Sequence, residues 1–158
     1  MKYVDTEVVF REVPDQITLA VNISQCPVQC PGCHSSYLAQ DIGEILDEDV
    51  LDALIKANTG ISCVSFMGGD RDPMEVRRLA EWLHCCYPKL KVCWYSGRNL
   101  EMARNVIPVL DFIKVGPYVD EFGPLNSKTT NQRFYSIRHT EKGSELEDCT
   151  YKFRRKLM

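Results

Sequence analysis

The apolar positions of the chain fall into short runs separated by turn-forming residues. Glu7–Val13, followed by Pro14-Asp15, reads as a short strand and a turn. Ile17-Thr18-Leu19-Ala20-Val21-Asn22-Ile23 is β-branched and alternating, and predicts a second strand. It runs straight into Ser24–Cys33, where Pro27, Pro31 and Gly32 exclude regular structure. From Asp47 to Asn58 the spacing becomes helical. Val50, Leu54 and Ala57 recur on one face, Asp47 can cap the start, and Gly60 follows the end. Ile61–Met67 is largely apolar, which suits a buried parallel strand, and it ends in Gly68-Gly69-Asp70.

Asp72-Pro73-Met74-Glu75 predicts a helix start, with Asp72 as N-cap, Pro73 at the first helical position and Glu75 closing a capping box. Val76, Leu79, Ala80, Leu83 and Tyr87 then line one face until Pro88. A strand at Leu90–Tyr95 ends at Ser96-Gly97. A helix is expected from Asn99 through Val106, stopped by Pro108, and a further strand at Asp111–Val115 ends at Gly116-Pro117. This alternation from Ile17 to Val115 predicts an α/β domain with a mostly parallel sheet. Ligands of such sheets gather beyond the C-terminal strand ends. Here those ends are the cysteine loop, Gly68-Gly69-Asp70, Ser96-Gly97 and Gly116-Pro117-Tyr118. From about Asp120 onward the pattern reads as irregular, and residues 1–158 show no internal repeat or domain boundary.

A length of 158 residues, with 44% hydrophobic and 26% charged positions, is that of one ordinary globular domain. No apolar run approaches the roughly 20 residues that span a bilayer. The first residues lack the apolar stretch of a secretory signal, so the expected location is the cytoplasm. The net charge of −3, spread without long like-charge blocks, argues against a nucleic-acid module. Lys152-Phe153-Arg154-Arg155-Lys156 reads as a solvated basic end, or as a docking segment.

Eight cysteines change the picture more. In a reducing compartment, clustered cysteines mean metal or catalysis rather than disulfides. Cys63 and Cys93 fall in predicted strands and read as buried small hydrophobes, whereas Cys149 reads as an exposed thiol. Cys26-x3-Cys30-x2-Cys33 is the tight motif. Thiolates suit both iron–sulfur clusters and zinc. Three ligands on a four-iron cube leave one iron open to a substrate's amino and carboxylate groups. A zinc site would need His34 or a distant cysteine as its fourth ligand, and zinc motifs usually pair two Cys-x2–4-Cys units. The spacing alone leaves both readings open.

The cysteine loop at the end of an early strand resembles the signature of the radical S-adenosylmethionine superfamily. Gly68-Gly69-Asp70 resembles its Gly-Gly-Glu motif, with Asp70 in place of the Glu. Cys30-Pro31-Gly32-Cys33-His34, Lys114-Val115-Gly116-Pro117-Tyr118 and Thr130-Asn131-Gln132-Arg133-Phe134 narrow the resemblance to activating proteins of anaerobic ribonucleoside-triphosphate reductases, over Ile17 to Ile137. The resemblance implies a partial (β/α) barrel with a mostly parallel sheet. It implies a 4Fe–4S cluster on Cys26, Cys30 and Cys33 with one open iron, through which catalysis runs. Gly32, Cys33 and His34 would contact the adenine end of S-adenosylmethionine, and Gly68, Gly69 and Asp70 the methionine end.

The implied activity is reductive cleavage of S-adenosylmethionine, generating a glycyl radical on the large subunit of anaerobic (class III) ribonucleotide reductase. The electron would come from a donor such as flavodoxin. Neither nucleic acid nor membrane is an expected partner. The rival expectations are an activase of another glycyl-radical enzyme and a zinc-binding interaction module. Tyr95, Ser96 and Tyr118 lie at strand ends, as pocket lining or as core and rim. The motif leaves open whether Asn131, Gln132 and Arg133 bind a partner or stabilise the fold.

Overall fold

The computed structural model describes residues 1–28, 30–33 and 35–154. The strands are β1 (Lys2–Val9), β2 (Thr18–Ile23), β3 (Glu44–Ile45), β4 (Cys63–Met67), β5 (Lys91–Tyr95), β6 (Phe112–Val115), β7 (Arg133–Thr140) and β8 (Gly143–Asp148). The α-helices are α1 (Glu48–Ala57), α2 (Pro73–Cys86) and the single turn α3 (Leu100–Ala103). All eight strands form one open sheet in the order β3-β1-β2-β4-β5-β6-β7-β8. Its centre, β2-β4-β5-β6, is parallel. The flanking pairs are antiparallel, so the sheet is mixed rather than mostly parallel, because the chain adds antiparallel strands at both edges of the parallel centre.

The helices start where the sequence predicts. The Asp47 carboxylate accepts from the Val50 N–H at 2.9 Å, and Asp72 accepts from the Glu75 N–H at 3.2 Å. Glu75 does not close a capping box. Its carboxylate takes two hydrogen bonds from Arg78, at 2.9 and 2.6 Å, and Arg78 also pairs with Glu48 on α1. A guanidinium offers a carboxylate a charge-assisted pair of donors, which outcompetes one backbone N–H.

Alternate residues of the parallel strands face opposite sides of the sheet. Val64, Phe66, Val92 and Trp94 join Leu51, Ile55, Val76, Leu79 and Leu83 of the helices in the main core. On the other side, Cys63 and Cys93 pack with Val13, Phe134 and Cys149 in a smaller cluster. Burial pushes the Cys63 thiol up to about 12 and raises that of Cys93 as well, so both remain neutral hydrophobes. Cys149, read from sequence as exposed, is buried in this second cluster because the 3-10 turn Thr150–Arg154 folds back against β7.

Three further expectations differ from the structure. The first strand is Lys2–Val9 rather than Glu7–Val13, because β1 pairs along the whole of β2, from Tyr3 opposite Ile23 to Val9 opposite Thr18. Residues 10–17 then form the connection, with Val13 buried. The helix after Asn99 stops at Ala103 and gives way to a 3-10 turn at Ile107–Val109, which contains Pro108. The chain beyond Asp120 is irregular only to residue 132, after which the hairpin β7–β8 extends the sheet. Among the described residues no helix is long and apolar enough to cross a membrane.

Candidate functional site

A cavity of about 720 Å³ opens beyond the C-terminal ends of β2, β4, β5 and β6. Cys26, Cys30 and Cys33 line it, together with Met67, Gly68, Asp70, Lys114, Tyr118 and Gln132. The cysteine loop is fastened where it leaves β2. Gln25 N–H donates to the Gln40 carbonyl at 3.0 Å, and Cys26 N–H donates to the Leu38 carbonyl at 2.9 Å. Gln25 adopts φ 60°, a left-handed conformation that costs a non-glycine residue about 1–3 kcal/mol. That turn redirects the chain out of the sheet and brings Cys26 to the cavity wall.

Across Pro31-Gly32, Cys33 N–H donates to the Cys30 carbonyl at 3.1 Å. Gly32 has φ +75°, and a Cβ built there would lie 3.4 Å from the Tyr118 ring. The Tyr118 N–H in turn donates to Cys30 Sγ at 3.3 Å. All three cysteines are free and half-buried. Among the described residues, no three His, Cys, Asp or Glu side chains are gathered tightly enough to hold a single ion. A four-iron cube takes each thiolate on a different iron, so its ligands stand further apart than those of one zinc ion. His34 lies outside the described residues.

The Gly68-Gly69-Asp70 segment divides its duties. Gly68 (φ +108°) lines the cavity, and its carbonyl accepts from Trp94 Nε1 at 2.7 Å. Gly69 (φ +98°) packs inward, where a Cβ would stand 2.7 Å from Val76 Cγ2. Asp70 is buried. Its carboxylate accepts from the Ser96 hydroxyl and, at 2.9 Å, from the Gly97 N–H, and Ser96 Oγ accepts from the Arg98 N–H at 3.1 Å. One side chain therefore ties the loop after β4 to the loop after β5. An ionised carboxylate offers about four acceptor sites, so lone pairs remain for a ligand in the cavity.

Sequence reasoning missed Lys114 as a site residue. It is 9% exposed, lines the cavity, and donates to the Gly116 carbonyl at 2.9 Å and the Ser96 carbonyl at 3.3 Å. Its ammonium also lies 5.8 Å from the centre of the Tyr95 ring. Desolvation lowers its pKa, opposed by the negative field of Asp70 and of the three loop cysteines. The signal was a lysine within the otherwise apolar run Phe112–Val115, since a buried charge needs a reason. Tyr95 is half-buried, with its hydroxyl on the Glu12 carbonyl, and Tyr118 reaches Asp120 at 3.0 Å.

A family model described as a 4Fe-4S single cluster domain matches residues 17–137. That span runs from the start of β2 into β7 and encloses the cysteine loop and the parallel strands β2, β4, β5 and β6. No curated protein and no solved structure matches the chain.

Proposed function

The chain belongs to the family of 4Fe-4S single cluster domains, and from that premise we propose that it is a radical S-adenosylmethionine enzyme whose cluster sits on Cys26, Cys30 and Cys33. When bound, the cluster supplies one electron to the sulfonium, which yields methionine and a 5′-deoxyadenosyl radical. The chain contributes binding, orientation and exclusion of water. The observation that carries this reading is one cavity lined by three free cysteines and by two buried ionisable side chains, Asp70 and Lys114. A zwitterionic amino-acid end fits that pair. Asp70 accepts from its ammonium, and Lys114 faces its carboxylate.

Gly68 keeps the wall beside the methionine end free of side chain, and the backbone of Gly32 and Cys33 flanks the adenine end. The parallel strands β2, β4, β5 and β6, with α1 and α2 in the core on one side, support a partial (β/α) barrel. The protein substrate is a glycine of the large subunit of anaerobic ribonucleotide reductase, from which the radical takes a Cα hydrogen. The Lys114–Tyr118 and Thr130–Phe134 segments, both at the cavity wall or packed behind it, support that branch.

The test is anaerobic reconstitution with iron and sulfide, reduction, and electron paramagnetic resonance with and without S-adenosylmethionine. The expected result is a reduced-cluster signal that shifts when the ligand is added, and a stable glycyl radical once the reductase subunit is present. Cys30→Ala should lose iron and cleavage together. A colourless protein holding zinc and leaving S-adenosylmethionine intact would overturn the reading.

A further inference from the structure

Asn131 and Gln132 lie against the turn that follows β6. Asn131 Nδ2 donates to the Pro117 carbonyl at 3.0 Å, and Gln132 Nε2 donates to the Gly116 carbonyl at 3.4 Å. The approach is close enough to require glycine. Gly116 has φ +100°, and a Cβ there would stand 3.3 Å from Gln132 Cα. From the other side, Gly116 N–H donates to the Arg98 carbonyl at 2.8 Å. Gln132 is itself buried, and its N–H is satisfied by Thr130 Oγ1 at 3.1 Å. The turn is thus clamped from two directions. The next amide along the chain, Tyr118 N–H, is the one that donates to Cys30 Sγ at 3.3 Å.

A main-chain donor holds its aim at a sulfur only while its own turn is held. We propose that Asn131 and Gln132 are positioning residues: they hold Gly116-Pro117-Tyr118 so that the Tyr118 amide donates to Cys30 Sγ, and this bond raises the cluster's reduction potential. The inference rests on Cys30 being a cluster ligand, as proposed above. A donor to a ligating sulfur withdraws electron density and favours the more negative, reduced state. A hydrogen bond of ordinary strength corresponds to about a fivefold change in the ratio of reduced to oxidised cluster at a fixed potential.

Asn131→Asp tests the clamp with little change of shape, because a carboxylate cannot donate to the Pro117 carbonyl. Asn131→Ala tests it without the added charge. The Asn131 side chain is on the surface, so neither change opens the core. Redox titration of the reconstituted proteins, followed by electron paramagnetic resonance, should show a more negative midpoint in both variants at wild-type iron content. The reduced-to-oxidised ratio at a fixed potential should fall about fivefold. Hydrogen exchange on the cluster-free proteins should show the Tyr118 amide exchanging faster in both. Faster exchange with an unchanged midpoint would reduce the clamp to a structural role and overturn the proposal. Wild-type protein that takes up no cluster would instead overturn the ligand assignment, and this inference with it.

Discussion

Asp70 shows how one side chain can be legible in sequence for one property and silent on another. Its place after two glycines at a strand end predicts that it lines a site beyond the sheet, and it lines the cavity. Its bonds to Ser96 and Gly97 join positions far apart in the chain, and no local pattern announces them. Removing it strands a buried hydroxyl and a backbone N–H, each costing about 1–3 kcal/mol when left unsatisfied. Asp70→Ala should therefore lower stability in urea unfolding by about 2 kcal/mol or more, besides weakening S-adenosylmethionine binding. Asp70→Asn retains one acceptor and should fall between. Equal unfolding midpoints for all three proteins would show that the link contributes nothing. Gly69 carries the converse lesson. Its motif suggests close approach of a ligand, whereas its glycine is needed for contact with Val76.

At the level of elements, the parallel centre was readable because each strand is a short apolar run closed by a turn signal. Asp47 and Asp72 announce their helices through local capping chemistry. The hairpin β7–β8 was not readable. Phe134 packs into the smaller cluster and Ile137 into the main core, so the apolar residues of β7 are split between two faces and show no alternation. β8 reads Gly-Ser-Glu-Leu-Glu-Asp, with the polarity of an edge strand in water. Yet Phe134 is the hub of its cluster, stacked on Phe112 at 5.9 Å and edge-on to Phe153 at 5.1 Å. Phe134→Ala should cost about 3–5 kcal/mol of unfolding free energy. It should also loosen Cys149, which would become reactive to an alkylating reagent in the folded protein. A loss below about 1 kcal/mol would mean that the hairpin is only an appendage to the sheet.

For the whole molecule, the decisive feature is that the cysteine loop and the hydrophobic scaffold occupy different places. Neither hydrophobic cluster includes Cys26, Cys30 or Cys33. Their loop hangs on backbone hydrogen bonds to Leu38 and Gln40 and on the Tyr118 amide, beyond the ends of an open sheet already packed on its own core. Small metal domains that lack such a core fold only when loaded. A chain of this length buries enough apolar surface to fold without that help. The triple variant Cys26→Ser, Cys30→Ser, Cys33→Ser should therefore take up no iron. It should keep its far-ultraviolet circular dichroism and unfold cooperatively in urea, with a midpoint near that of the cluster-free wild type. A triple variant that cannot fold, while the cluster-free wild type can, would show that the thiols themselves hold the scaffold together. Cofactor site and fold would then be one structure rather than two.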